Sequence, residues 1–258
     1  MKITIVTVAL NAKKTVEDCM QSALGQNWTE LEYILADRGS TDGTLDVIKR
    51  YQNRFTKFLH LRGDDYYTAL NKCLSASTGD IIAVLPPDSF YTDRNTVANV
   101  LRTMAAKRRD CLYGDMVYIA TDSQRALRYY KAGEYDRYNF ENGWMPPLPV
   151  FFIHRDLFRR FGYFATDYKL RADYELIARF LYKNYATTWY MPEVLVKMRY
   201  DDKKKSLGWL MARSREDYRV LKEYGLGGVV TVLMRNLAKL PQFFRKPKAD
   251  DRVLETRW

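Results

Sequence analysis

Apolar and polar positions in the first 90 residues of this 258-residue chain alternate between two rhythms. Short apolar, β-branched runs occupy residues 2–9, 31–37, 57–62 and 80–86. Three of these four runs are continuous, the pattern of strands covered on both faces. Between them, apolar residues return every three or four positions. Val16, Met20, Ala23 and Leu24 share one helix face, and Leu45, Val47, Ile48 and Tyr51 another. Ala69, Leu70 and Cys73 mark a third helix within residues 66–77. Strand–helix–strand alternation predicts parallel pairing with right-handed crossovers.

Beyond residue 110 the rhythm changes. Cys111–Ile119 and Ala126–Tyr130 predict strands joined by a polar turn at Thr121-Asp122-Ser123. A Trp/Pro-rich loop, Gly143-Trp144-Met145-Pro146-Pro147-Leu148-Pro149, leads to a strand at Val150–Ile153. Residues 173–184 predict a helix, Thr187–Met191 a strand, and residues 206–224 and 226–244 two closing helices. No internal repeat or low-complexity linker interrupts the chain. The expectation is one α/β domain over residues 1–225 and a basic amphipathic tail over 226–258.

Charge sharpens this division. The net charge is +11, and residues 197–258 carry 16 Lys/Arg against 8 Asp/Glu, so they hold +8 of it. Leu226, Val229, Val230, Leu233, Leu237 and Leu240 recur at helical spacing with Arg235 and Lys239 among them. Phe243-Phe244 and Arg245-Lys246-Pro247-Lys248 follow. This reads as an interfacial helix, with an anionic membrane surface as the partner of residues 226–248. A helix packed on the catalytic domain is the alternative. No recognised nucleic-acid motif accompanies the charge, so nucleic acid is excluded as a partner. Cys19, Cys73 and Cys111 are widely spaced and His60 and His154 are the only histidines, which argues against zinc. The chain opens directly on a strand, without a signal-peptide core or an 18-residue apolar span, so the expected location is cytoplasmic, peripheral on the inner face of the membrane.

Three segments can carry chemistry. Asp37-Arg38-Gly39-Ser40-Thr41-Asp42-Gly43-Thr44 follows a strand, where open α/β sheets bind ligands. Asp37 there is either part of a capped turn or an acceptor for a pyrimidine N–H. Leu85-Pro86-Pro87-Asp88-Ser89 ends the fourth run, and a carboxylate there can hold a hard cation against a diphosphate. Leu170-Arg171-Ala172-Asp173-Tyr174-Glu175 opens a helix, where Asp173 is an N-cap or a catalytic group. Asp173 and Glu175 are two residues apart, so only one of them can face a cleft.

Together with Thr7-Val8-Ala9-Leu10-Asn11-Ala12, the Gln26 loop, Asn71-Lys72, Ser77-Thr78-Gly79-Asp80, Gly114-Asp115 and Gly143–Pro149, these segments resemble a bacterial family 2 glycosyltransferase over residues 1 to about 225. The resemblance implies a GT-A fold: a Rossmann-like, mostly parallel central sheet flanked by helices, here with a C-terminal helical extension. It implies an inverting transfer from a nucleotide-diphosphate sugar, usually of UDP, to a glycan or lipid-linked acceptor in cell-surface polysaccharide synthesis. By the same resemblance Thr7, Val8, Ala9, Asn11, Asp37, Arg38, Ser40, Asn71, Lys72, Pro87, Asp88 and Arg199 belong to the donor site, and Trp144, Met145, Pro146 and Leu148 to the acceptor site. Asp88 and Ser89 stand where Mg²⁺ or Mn²⁺ is held, and Asp173 matches the general base. A carboxylate with an ordinary pKa of about 3.9 is ionised at neutral pH and suited to that task.

Three departures from the family pattern surround this site. Ser89 stands where relatives carry a second carboxylate, Leu148 where many carry His, and Leu61–Thr68 replaces an acidic, Lys-containing segment. A hydroxyl is a weaker ligand for a hard cation, so weak metal dependence is expected, with Ser89→Asp tightening it. Lys197, Arg199 and Lys203–Lys205 are expected to add positive charge from a flexible loop. A catalytically degenerate homologue acting as a scaffold is the rival reading.

Overall fold

The computed structural model describes residues 1–141, 144–200 and 206–226. Strands β1 (Ile3–Ala9), β2 (Leu31–Asp37), β3 (Lys57–His60) and β4 (Ile81–Val84) pair in parallel in the order β3-β2-β1-β4. The predicted parallel core is therefore present. Helices α1 (Val16–Leu24), α2 (Thr44–Lys49) and α3 (Tyr66–Ser75) connect these strands. The sheet then becomes mixed. β8 (Phe151–His154) runs antiparallel between β4 and β6 (Cys111–Ala120), and β9 (Thr188–Tyr200) pairs in parallel with β6. At the end, β5 (Ser89–Tyr91) pairs with β9 and β7 (Ala126–Tyr130) with β6, both antiparallel.

Both faces of the sheet are covered, as the continuous apolar runs require. In β1, Ile3, Ile5 and Ala9 join the layer formed by α1, α2 and α4 (Thr96–Lys107). Val6 and Val8 join the opposite layer, built from α3, α5 (Arg137–Glu141), α6 (Arg155–Phe161), α7 (Ala172–Ile177) and α8 (Leu207–Glu223). This period-two division is the strand geometry expected of a buried sheet. Two of the shared motifs are structural. Gly79 lies so close to Thr4 that a Cβ would approach its backbone nitrogen at 2.5 Å, and the Gly79 N–H donates to Thr4 Oγ1. Gln26 accepts from the Val97 N–H at 2.9 Å, satisfying a free donor in the first turn of α4.

Several elements differ from the sequence reading. β9 continues past Met191 to Tyr200, through register shifts against Gly114, Asp115 and Met116. A Cβ at Gly114 would lie 2.7 Å from Leu195, so this bulge requires glycine. The expected flexible loop for Lys197 and Arg199 is therefore strand. The expected helix over 173–184 is α-helical only to Ile177 and continues as a π-helix over Ala178–Lys183. The segments α4, α5, α6 and β5 were not anticipated. Leu226 is 2% exposed and packs in the core. The helix expected over 226–244 and the Lys203–Lys205 run otherwise lie outside the described residues.

Candidate active site

The C-terminal ends of the parallel strands β1, β2 and β4 lie side by side at one sheet edge, the edge where open α/β sheets bind ligands. Register places Ala9 beside Asp37, and the Arg38 N–H donates to the Ala9 carbonyl at 3.0 Å. Asp37 is 2% exposed. Its Oδ2 accepts from the Gly39 and Ser40 N–H groups at 2.8 and 3.0 Å, and its Oδ1 accepts from Ser40 Oγ at 2.5 Å. Gly39 takes a φ of 97°, which a residue with a side chain rarely adopts. Asn11, itself at φ 50°, accepts from the Thr41 N–H at 2.9 Å and donates its own N–H to Ser40 Oγ. The loops after β1 and β2 are thus braced into one rim.

Other donor-site candidates lie nearby, with several side chains already engaged. Thr7 and Ala9 are fully buried and Val8 nearly so. Thr7 Oγ1 donates to the Leu85 carbonyl at 2.7 Å, tying β1 to the segment that leads to Asp88. Arg38 Nε donates to the Asp64 carbonyl, and Lys72 pairs with the Asp64 carboxylate at 2.7 Å. The Asn71 amide exchanges two hydrogen bonds with the Phe164 backbone, at 2.8 and 3.0 Å.

Pro87 and Asp88 are half-buried at the head of β5. Ser89 has no exposed surface, and its hydroxyl donates to Asp88 Oδ1 at 3.3 Å. As placed, Ser89 supports the Asp88 carboxylate and has no open face. Arg199 donates its N–H to the Asp88 carbonyl at 2.8 Å, while its guanidinium pairs with Asp18 and donates to the Thr121 carbonyl. Among the described residues no group of three or more His, Cys, Asp or Glu side chains converges as a metal cage. The donor set at Asp88 fits a cation that takes most of its oxygens from substrate phosphates and water, as Mg²⁺ does.

Asp173 is the second residue of α7. Its carboxylate lies 3.4 Å from the Tyr67 hydroxyl and 3.4 Å from Arg171 Nη1. Arg171 is 4% exposed, donates through Nε to Asp217 Oδ1 at 2.5 Å, and reaches the Met145 sulfur with Nη2. Burial disfavours the Arg171 charge, but Asp173 and Asp217 outweigh burial and raise its pKa. Glu175 turns away, bonded to Arg179 and, at 2.6 Å, to the Tyr224 hydroxyl. Glu175 is buried, whereas the Asp173 side chain keeps 21% of its surface exposed.

Burial raises the Tyr66 pKa, and the charges of Asp88 and then Asp173 add to it. The Tyr118 pKa is also raised, by burial, in the combined field of Arg128, Arg213 and Asp88. Arg213 and Asp217 come from α8. Sequence reasoning assigned them no role, because they reach the site only when α8 docks on α7. Of the acceptor-site candidates, Met145, Pro146 and Leu148 are buried, while Trp144 is half-buried and donates from Nε1 to the Ala132 carbonyl at 2.6 Å. Asp115 is a structural node: it is 1% exposed and accepts from Tyr129 Oη, Tyr190 Oη and the Ala132 N–H.

Known proteins are similar to this chain in sequence and fold. The chain is 26% identical over 196 residues, 74% of each chain, to a PGL/p-HBAD biosynthesis glycosyltransferase of Mycobacterium bovis (strain BCG / Pasteur 1173P2). The crystal structure of S. aureus TarS 1–349 in complex with UDP superposes with a TM-score of 0.64 at 15% identity, over 91% of this chain and 70% of that one. The mannosyltransferase PcManGT from Pyrobaculum calidifontis, in complex with GDP-Man and Mn²⁺, gives 0.64 at 18% identity, over 93% and 69%. These likenesses identify the fold as GT-A. The family model described as "Glycosyl transferase family 2" matches residues 4–164, and the chain belongs to that family as a glycosyltransferase.

Proposed function

We propose that this protein is an inverting glycosyltransferase that moves a sugar from a UDP-sugar to a hydroxyl of a glycan or lipid-linked acceptor in cell-surface polysaccharide synthesis. The observation that supports this reading is the family match over residues 4–164, together with the placement of Asp37 at the end of β2, Asp88 at the head of β5 and Asp173 in the first turn of α7. Nucleotide placement falls to the rim of Asn11, Asp37, Arg38 and Ser40, and the diphosphate to the Asp88 side. A divalent cation bound by Asp88 and the donor phosphates would offset charge on the leaving group. Asp173 takes the proton of the acceptor hydroxyl as that oxygen attacks the anomeric carbon from the face opposite the diphosphate, which inverts configuration. Trp144 borders the acceptor side.

Support for UDP comes from the TarS complex, and support for a divalent cation from the Mn²⁺ complex of PcManGT. No helix among the described residues is long and apolar enough to cross a membrane. Residues 227–258 supply the proposed anchor to anionic lipid on the inner membrane face, and loss of vesicle co-sedimentation on their deletion tests it. The test of the activity is a screen of nucleotide sugars for diphosphate release, with and without chelator. Release from a UDP-sugar supports the proposal. No release from any donor with any metal would instead favour a binding protein that keeps the fold without the chemistry.

A further inference from the structure

The two oxygens of the Asp173 carboxylate are held differently. Oδ1 is anchored: it accepts from the Tyr174 N–H at 2.8 Å, and the Tyr67 hydroxyl and Arg171 Nη1 each lie 3.4 Å from it. Oδ2 has one hydrogen-bonding neighbour among the described residues, Arg171 Nη1 at 3.4 Å. An arginine beside a carboxylate ordinarily closes on it with two parallel N–H groups at about 2.8 Å. Arg171 stands off instead. Its Nε donates to Asp217 Oδ1 at 2.5 Å and its Nη2 reaches the Met145 sulfur at 3.3 Å, so Nη1 alone is left for Asp173.

We infer that Asp217 is a positioning residue for the transfer reaction. By holding the Nε edge of Arg171, it keeps that guanidinium from pairing with Asp173 and leaves Oδ2 free to take the acceptor proton. This rests on the reading of Asp173 as proton acceptor given above. In that step the acceptor O–H bond breaks, the proton goes to Oδ2, and the acceptor oxygen bonds the anomeric carbon. The bond from that carbon to the diphosphate oxygen breaks, and its electron pair stays on the oxygen. A carboxylate closed in a two-pronged pair with arginine is a poor base, because both oxygens are covered and the charged form is favoured.

The titratable and charged groups around Asp173 come from three elements. Arg171 precedes it at the start of α7, and Glu175, on the same helix, is bonded to Arg179. Tyr66 and Tyr67 lie on α3, and Arg213, Glu216 and Asp217 on α8. Glu216 accepts from the Leu170 and Arg171 N–H groups at 2.8 and 2.9 Å, a second tie between α8 and this turn. Helix docking therefore does not depend on Asp217 alone. Replacing Asp217 with Asn removes the anion that balances Arg171, and the unbalanced cation then favours ionised Asp173. Protonation of Asp173 moves to lower pH.

The test compares the full chain with Asp217→Asn and with Arg171→Met/Asp217→Leu. Two curves are measured for each: NMR of the Asp173 carboxyl carbon against pH, and sugar transfer against pH. Asp217→Asn should move the acid limb of both curves down by about one pH unit and lower the transfer plateau about ten-fold, with UDP affinity by calorimetry unchanged. The double variant lacks both the cation and its restraint. Its acid limb should lie above that of wild type, and its transfer should be faster than that of Asp217→Asn. If Asp217→Asn fails to fold, the limb of the double variant against wild type decides the matter. Coincident acid limbs, with any loss of rate uniform across pH, would overturn the inference and leave Asp217 as a tether of α8. Shifted NMR curves in a chain that transfers no sugar would uphold the restraint on Arg171 and overturn the proton-acceptor reading.

Discussion

Arg171 and Asp217 form a buried ion pair at 2.5 Å, each about 5% exposed, that joins α7 to α8. The pair also orients the guanidinium edge that lies against Asp173. Removing one partner of such a pair leaves an uncompensated buried charge, whereas replacing both with apolar groups can be nearly neutral.

Asp217→Ala is therefore expected to destabilise the protein by about 3–5 kcal/mol, and Arg171→Met/Asp217→Leu by much less. Denaturant titration of the two variants is the measurement. Equal losses in both would mean that packing, and not charge pairing, holds the helices together.

Lys197 supplies a pH signature. It is fully buried beside Phe90 on β5 and Val117 on β6, its amino group has no hydrogen-bond partner among the described residues, and burial lowers its pKa to about 8. Between that value and its ordinary value of about 10.4, the folded protein binds fewer protons than the unfolded chain, so this group makes stability rise with pH. Below pH 8 the fold bears the whole cost of the buried charge. Lys197→Met should thus be more stable than wild type at pH 7 by about 1–3 kcal/mol, with the gap closing above roughly pH 10. A gap that does not change with pH would attribute the gain to packing alone.

Much of this fold was legible in local pattern. The continuous apolar runs at β1, β2 and β4 and the three- and four-residue spacings of α1 and α3 became the elements they predicted, because their burial depends on neighbours close in sequence. β9 was cut short at Met191 because Pro192-Glu193 and later Lys197 and Arg199 read as solvated. Their pairing with β6 and β5 is a tertiary matter. Asp37, Asp88 and Asp173 stand out in the sequence as candidates by their positions at element ends. Arg213 and Asp217 do not, since an Arg and an Asp on a polar helix carry no local signal until α8 meets α7.

Ser89 shows the same limit. On sequence grounds Ser89→Asp is expected to tighten metal binding, but the side chain is fully buried in β5. A carboxylate there would be desolvated, so the expected outcome is a loss of about 1–3 kcal/mol in stability without tighter Mg²⁺ binding. Thermal unfolding with a Mg²⁺ titration decides this. A more stable variant with a lower half-saturation for Mg²⁺ would show that residue 89 reaches the cation.

The account turns on Asp173 as the proton acceptor. Asp173→Asn keeps the size of the side chain and its hydrogen bonding to Tyr67 but cannot take a proton. The most direct measurement is sugar transfer alongside calorimetric UDP binding in this variant. Transfer should fall by at least about 100-fold while UDP affinity stays at the wild-type value. Transfer at the wild-type rate would contradict the account, leaving Asp173 as part of the α7 helix start and placing the base elsewhere in the site.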